Sequence, residues 1–242
     1  MSTSPTSGEN SLSSEDLRLL SGSLGDIIRL LHAVYRHYPV GYFYLKDKYP
    51  GYQEMKEIVA KKMNSECNDP LSISNVFARD LQEQLGKIKV INRNYENFPN
   101  YVFDVRISSK HLIKLAHSCY LTVCISLLCD YYTLFFVDEF SGKGPNDENN
   151  QPALHPSPHY VYSFNTSLPK ANPQLMANIN LVLRTHFPGK TYISHALLME
   201  PPFFSRVAPF GQSVSPQEWD NYYSFYSLLF SGANNVRFQI LD

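Results

Sequence analysis

The chain contains little charge, and this argues against partners that bind through strong electrostatic fields. Charged residues make up 18% of the 242 positions, and the formal net charge is −1. A chain so close to neutral creates no overall field that attracts nucleic acid or an anionic membrane surface. We therefore expect neither a nucleic-acid partner nor a membrane partner.

Cysteine is also scarce. The four cysteines, Cys67, Cys119, Cys124 and Cys129, form no CxxC pair. Cys119 and Cys124 are five positions apart in a predicted strand, and because side chains alternate with a period of two, their thiols lie on opposite faces. They can then neither bridge each other nor share a metal. We expect buried free thiols, no metal and no other cofactor, and a reducing, cytoplasmic location.

The common catalytic and cofactor-binding motifs are missing. The sequence contains no G-x-S-x-G, no phosphate-binding glycine loop, no G-x-G-x-x-G, no H-E-x-x-H and no EF-hand loop. The N-terminal residues also lack the basic and apolar regions of a signal peptide, and they are rich in Ser and Thr. We expect a disordered tail over residues 1–14 and a single domain over residues 15–242.

A nearly continuous apolar run extends from Cys119 to Val137. Its length suggests a membrane span, but Asp130 inside it would cost about 2.5–3.5 kcal/mol near the centre of a membrane helix. Apolar and polar side chains also alternate between residues 121 and 127. A period of two is typical of a half-buried strand, so the run predicts a β-hairpin that turns near Cys129–Asp130.

Periodicity along the rest of the chain alternates between helical and strand-like. The first helix should begin near Ser23, because Gly22 and Gly25 weaken its earlier turns, and should end at Pro39. Further helices are predicted at 53–63, 72–86, 172–188 and 215–219, and strands at 42–45, 87–91, 101–107, 159–165, 190–198, 222–230 and 236–241. Residues 109–117 are predicted to be a short helical or irregular stretch. This order predicts an α+β fold with a mainly antiparallel sheet, one wet face, and helices packed on the other.

Residues 141–158 are rich in Gly, Asn, Asp and Pro and show no periodicity. They predict a mobile loop, and an alternative is that this loop separates two subdomains. An aromatic–Pro turn follows the helical patterns at both 35–39 and 183–188. These turns leave open a fold of two similar helix–turn–strand halves, although an aromatic–Pro pair is also a common helix stop.

Tyrosine is abundant, with 17 Tyr beside 15 Phe, and it is frequent at recognition surfaces. Acidic residues border the predicted loop and would attract a basic partner, although such a cluster can also simply protect a strand edge. The candidate binding residues are Asp138, Glu139, Asp147, Glu148, Tyr131, Tyr132, Tyr222 and Tyr223.

These patterns favour a non-catalytic soluble protein that binds another protein. One version is a cytosolic immunity protein that neutralises a toxin domain. The first alternative is an enzyme with an unrecognised site, for which His195 and Glu200 are the best acid–base pair. The second is a structural subunit that self-associates through strand edges, since the sequence leaves the oligomeric state open.

Overall fold

The computed structural model describes residues 14–39, 47–66, 69–94, 98–111, 115–142, 159–161, 173–200, 202 and 223–230. The elements in chain order are α1 (Ser14–His37), α2 (Pro50–Glu66), α3 (Ile73–Leu85), β1 (Val90–Asn92), β2 (Asn100–His111), β3 (Leu115–Ser126), β4 (Tyr131–Gly142), β5 (His159–Val161), α4 (Pro173–His186), β6 (Thr191–Tyr192), α5 (His195–Leu198) and α6 (Phe225–Leu229). The predicted α+β class is confirmed. Among the described residues, no helix is both long and apolar enough to cross a membrane.

The sheet follows the chain. Strands β1 to β5 lie side by side in sequence order, and each is antiparallel to the next. Strand β6 adds a short parallel pairing at the start of β4, where Thr191 and Tyr192 face Tyr131 and Tyr132. The predicted hairpin is confirmed as β3 and β4, joined by a bend at residues 127–130.

Helices pack against both faces of this sheet, although the sequence predicted them on one. Phe103, Val123 and Leu134 face α3 and α4. The alternate positions, which include Cys124 and Phe135, face α1, α2, α5 and α6. The sheet is therefore the middle layer between two helical layers, and the two cores share β3 and β4.

The face of the sheet that was predicted to be wet is buried, and its polar groups form hydrogen bonds inside the protein. The Ser126 hydroxyl donates to the carbonyl of Leu229 at 2.6 Å. Thr122 Oγ1 donates to Asp104 Oδ1 at 2.7 Å, and Arg93 Nε donates to Asp104 Oδ2 at 2.9 Å. Polar side chains can be buried when their hydrogen bonds are satisfied, so alternation in the sequence did not mean exposure to water.

Several helix boundaries follow from local signals. The hydroxyl of Ser72 accepts from the backbone N–H of Asn75 at 3.3 Å and caps α3, and Gly86, with φ 62°, ends it as predicted. The predicted late start of α1 is wrong, since the helix begins at Ser14 and includes both glycines. A glycine costs up to about 1 kcal/mol in a helix, which weakens a growing helix without stopping it.

Three other predictions need correction. The strand predicted over 190–198 is limited to β6, and α5 follows it. Part of the strand predicted over 222–230 is instead the helix α6. Ser224 caps this helix, because its hydroxyl accepts from the N–H of Ser227 at 3.2 Å. Residues 109–117, predicted to be helical or irregular, include the end of β2 and the start of β3, which follow a bulge between Arg106 and Ser108.

The remaining predictions lie partly or wholly outside the described residues. Strand β5 covers the beginning of the strand predicted at 159–165. Of the predicted loop at 141–158, residues 141 and 142 belong to β4. Of the predicted tail at 1–14, residue 14 is the first residue of α1, and residues 1–13 fall outside the described part of the chain. The strands predicted at 42–45 and 236–241, the helix predicted at 215–219 and residues 143–158 also fall outside it.

Candidate functional site

A groove of about 770 Å³ runs along α1 and is closed on its other side by the β3–β4 turn and the segment before β6. We call it the α1 groove. Its described lining residues are Ile28, Arg29, His32, Ala33, Arg36, Leu128, Cys129, Asp130, Tyr131, Gly189 and Thr191. Volumes of about 300–1,000 Å³ are typical of clefts that hold small ligands or a few inserted side chains.

The groove exists because α1 has two different faces. Leu30 and Val34 are fully buried in the core. Positions 28, 32 and 36 are each four residues apart, so they form a row on another side of the helix. Helical spacing therefore places the apolar side chain of Ile28 and the basic side chains of His32 and Arg36 in one row that faces the groove and not the core.

The arginines that line the groove, Arg29 and Arg36, are exposed, and each lies beside a carboxylate. The Arg29 side chain is 74% exposed, and its guanidinium lies 3.8 Å from Asp26. The Asp26 carboxylate also accepts from the hydroxyl of Tyr131 at 2.9 Å, so it is shared. Arg36 is 66% exposed and donates to both oxygens of Glu54, at 3.2 and 2.5 Å.

A close junction between α1 and α2 fixes one end of the groove. A Cβ on Gly51 would lie 1.6 Å from the carbonyl oxygen of Arg36, so only glycine permits this approach. The buried His37 ring places Nδ1 3.2 Å from the carbonyl oxygen of Gly51. Burial lowers the pKa of His37, which favours the neutral ring.

Hydrogen bonds also hold the opposite wall. The Ser126 hydroxyl accepts from the backbone N–H groups of Leu128 and Cys129, at 3.1 and 3.3 Å. Lys190 Nζ donates to the carbonyl of Cys129 at 2.6 Å, and burial lowers the pKa of this lysine. Burial raises the pKa of the Cys129 thiol, so the sulfur that lines the groove is a protonated, weak nucleophile at neutral pH.

The acidic residues predicted for binding have partners within the sheet. Asp138 Oδ1 lies 2.8 Å from Nε2 of His117 on the neighbouring strand. Glu139 lies 4.0 Å from Arg93, and both carboxylates are half-buried. Asp147, Glu148 and Tyr222 lie outside the described residues, so the predicted acidic cluster is described only at its strand end.

The tyrosines predicted for binding do not form an exposed surface. Tyr131, Tyr132 and Tyr223 are all buried. Tyr132 donates its hydroxyl to Asn180 on α4 at 2.6 Å. Tyr131 also lines the α1 groove, whereas Tyr132 and Tyr223 belong to the two cores, so a binding role for these three stays a prediction.

The histidine of the candidate acid–base pair is also inside the protein. His195 starts α5 and is buried, with its ring centroid 4.2 Å from that of Phe135 and 4.8 Å from that of Tyr226. Burial lowers the pKa of His195 to about 3, so the ring is neutral at pH 7. Glu200 is exposed. A covered imidazole with so low a pKa is a poor general base.

No family model matches the chain, and no curated protein or solved structure is significantly similar to it. Within the described ranges, no group of three or more His, Cys, Asp or Glu side chains is arranged to hold a metal ion. The α1 groove is therefore judged on its own chemistry. The sequence carries one signal for it, the 3–4 spacing of Arg29, His32 and Arg36, which the stronger apolar stripe of the same helix obscures.

Proposed function

We propose that the chain is a non-catalytic soluble protein that binds another protein through the α1 groove. The observation that supports this is an exposed apolar pair on α1: Ile28, which lines the groove, is 47% exposed, and Leu24, one helical turn earlier, is 57% exposed. Apolar side chains flanked by arginine, on a rigid helix beside an open cleft, are the composition that interface centres prefer.

The reactive groups near the groove support binding over catalysis. The thiol of Cys129 is held protonated by burial, and the imidazole of His37 is buried in the helix junction. Neither arrangement provides an activated nucleophile beside an accessible base. The best enzymatic candidate from the sequence, His195, lies among aromatic rings.

The proposal includes a cytoplasmic location and, more narrowly, a toxin domain as the partner. Cys119, Cys124 and Cys129 are free thiols, which fits a reducing, cytoplasmic compartment. The narrower proposal, that the partner is a toxin domain, predicts that a captured partner is harmful to the cell and is silenced when this chain is added.

The test compares two exposed aliphatic side chains on helices. Ile28→Ser removes the apolar edge of the α1 groove, and Leu181→Ser changes α4, where Leu181 is 57% exposed and lies outside the groove. Both variants should fold, because surface substitutions usually change stability by less than about 0.5 kcal/mol. Each is used as bait in the source cell, and the recovered proteins are quantified.

We expect wild type and Leu181→Ser to recover the same partner, and Ile28→Ser to recover roughly tenfold less, since one apolar anchor is worth about 1–2 kcal/mol. Equal recovery by all three baits contradicts the proposed surface. If no protein is recovered and light scattering shows a dilution-stable monomer, the binding proposal itself fails. A concentration-dependent dimer would instead favour the self-associating subunit.

A further inference from the structure

We infer that the segment entering the α1 groove is acidic, with a carboxylate that binds Arg29 and His32 and an adjacent apolar side chain that packs on Ile28. This inference rests on the proposed function and specifies the chemistry of the partner. It follows from the charges in the groove, the exposure of those charges and the order of side chains along α1.

The charges of the lining residues are unequal. Arg29 and Arg36 line the groove together with the imidazole of His32, whereas Asp130 is the only acidic side chain among the described lining residues. The guanidinium group of Arg29 hydrogen-bonds with the hydroxyl of Tyr131 and lies 3.8 Å from Asp26, but it is 74% exposed. Because a guanidinium carries five N–H donors, those that Tyr131 does not use are available to a planar carboxylate, which matches the guanidinium fork.

The order of side chains defines what lies beside the carboxylate. Ile28 precedes Arg29 and lines the same groove, and Leu24 lies one turn earlier on the exposed side of the helix. An acidic side chain at Arg29 would therefore bring its neighbours onto Ile28 and Leu24. Burying apolar area provides affinity, and the carboxylate fixes the register of the segment.

The surrounding carboxylates argue against a polyanion. Asp26 lies beside Arg29, Glu54 accepts both hydrogen bonds from Arg36, and Asp130 lines the opposite wall. A nucleic-acid backbone or an anionic membrane would place further negative charge against these three groups. A segment with a single inserted carboxylate avoids that repulsion, so a protein segment is favoured over RNA or lipid.

The experiment uses small peptides on the intact chain. Acetyl-Glu-Leu-amide and acetyl-Lys-Leu-amide are titrated separately, to millimolar concentration, into nitrogen-15-labelled protein. Proton–nitrogen spectra then report which backbone amides respond. We expect saturable shifts in residues 28–36, 128–131 and 189–191 with the glutamate peptide and none with the lysine peptide.

Arg29→Gln is the deciding variant, and Arg79→Gln is its matched control. Arg79 on α3 is 57% exposed and has an acidic neighbour at 3.4 Å, but it does not line the groove. We expect the Kd of the glutamate peptide to rise about tenfold in Arg29→Gln, because hydrogen bonds to charged groups are the strong ones, and to stay unchanged in Arg79→Gln.

Four results would overturn the inference: no shifts, equal shifts with the lysine peptide, the same shifts with acetate or inorganic phosphate alone, or no effect of Arg29→Gln. Binding to phosphatidylserine vesicles that Arg29→Gln abolishes would also overturn it, in favour of a membrane surface. If a partner is captured through Ile28 but the glutamate peptide does not bind, this inference fails and the proposed function stands. If the peptide binds and no partner is captured, the proposed function fails and the preference of the groove for acid stands.

Discussion

Two histidines lie buried as neutral rings, and each connects parts of the fold that are distant in sequence. His195 fills the space between Phe135 on the sheet and Tyr226 on α6. His37 lies where α1, α2 and the β3–β4 turn meet, with Gly51 as its partner through Nδ1. In both cases burial lowers the pKa, so protonation of the ring opposes folding.

The buried His195 predicts a loss of stability in acid. Its pKa is about 3 in the folded protein and near 6.5 when unfolded, so below pH 6.5 the unfolded chain binds a proton that the folded chain does not. The stabilisation is thus complete above pH 6.5 and is lost as the pH falls towards 3. This residue alone should lower the free energy of unfolding by about 1.4 kcal/mol per pH unit in that window.

Denaturant unfolding at pH 7.5 and pH 5.0 checks this slope. His195→Phe keeps an aromatic ring but cannot be protonated, so its stability should fall less between the two pH values, by about 2 kcal/mol, than that of wild type. The exposed His32→Gln serves as the control and should keep the wild-type difference. An unchanged difference in His195→Phe would show that this ring is not buried in its neutral form.

At the scale of elements, α1 is the helix on which the site depends. Its buried row joins the core, its basic row lines the groove, and its C-terminal end meets α2. The hydroxyl of Tyr49 donates to the carbonyl of Tyr35 at 2.5 Å, and Gly51 approaches the carbonyl of Arg36. The Tyr49 hydroxyl thereby satisfies a carbonyl that the helix end leaves unpaired, and the close packing at Gly51 sets the position of Arg36.

Two glycine substitutions distinguish the effect of helix propensity on stability from the effect of close packing at this junction. Gly51→Ala would place a methyl group against backbone that cannot move aside alone, so we expect a loss of about 1–3 kcal/mol in the free energy of unfolding. Gly25→Ala has no neighbouring atom within 4 Å and should stabilise α1 by up to about 1 kcal/mol. Urea unfolding of both variants measures the difference, and equal effects would contradict the close approach.

The sequence predicted well those elements whose residue pattern depends only on positions close together in the chain. Alternation at 101–107 and 121–127 predicted β2 and β3, and the capping Ser72 and terminal Gly86 predicted α3. Residues 223–230 were wrongly predicted as a strand. All but one of them are buried, so their apolar character has no period that distinguishes a helix from a strand.

The site was harder to predict than the elements because it depends on contacts between distant residues. The basic row of α1 is visible in the sequence, but the groove forms only where the β3–β4 turn and Gly189 lie beside it. The predicted tyrosines show the same dependence on distant contacts. Strand propensity placed Tyr131 and Tyr132 correctly in β4, yet helices on both faces of the sheet bury them.

At the scale of the whole molecule, one sheet lies between two hydrophobic cores and contributes side chains to both. Phe135 belongs to one core and its neighbour Leu134 to the other, so β4 contributes to both. If β4 lost its contacts on one face, its register would be less well fixed, and its packing on the other face would become less stable. The two helical layers should therefore depend on each other for stability.

This dependence predicts one unfolding transition. Differential scanning calorimetry should show a single peak whose calorimetric and van't Hoff enthalpies agree, as expected for one cooperative unit. Two resolved peaks, or an enthalpy ratio well above one, would support the alternative of two subdomains. The same scan on Gly51→Ala should move the single peak to lower temperature without splitting it.

The central claim, that another protein occupies the α1 groove, is tested most directly by cross-linking in the source cell. A photoreactive amino acid is introduced in place of His32, which is exposed and lines the groove, and, as the control, in place of Arg184, which is exposed on α4. We predict that illumination yields one discrete cross-linked protein from position 32 and none from position 184. A product from position 184 alone, or none from either position, would contradict the account.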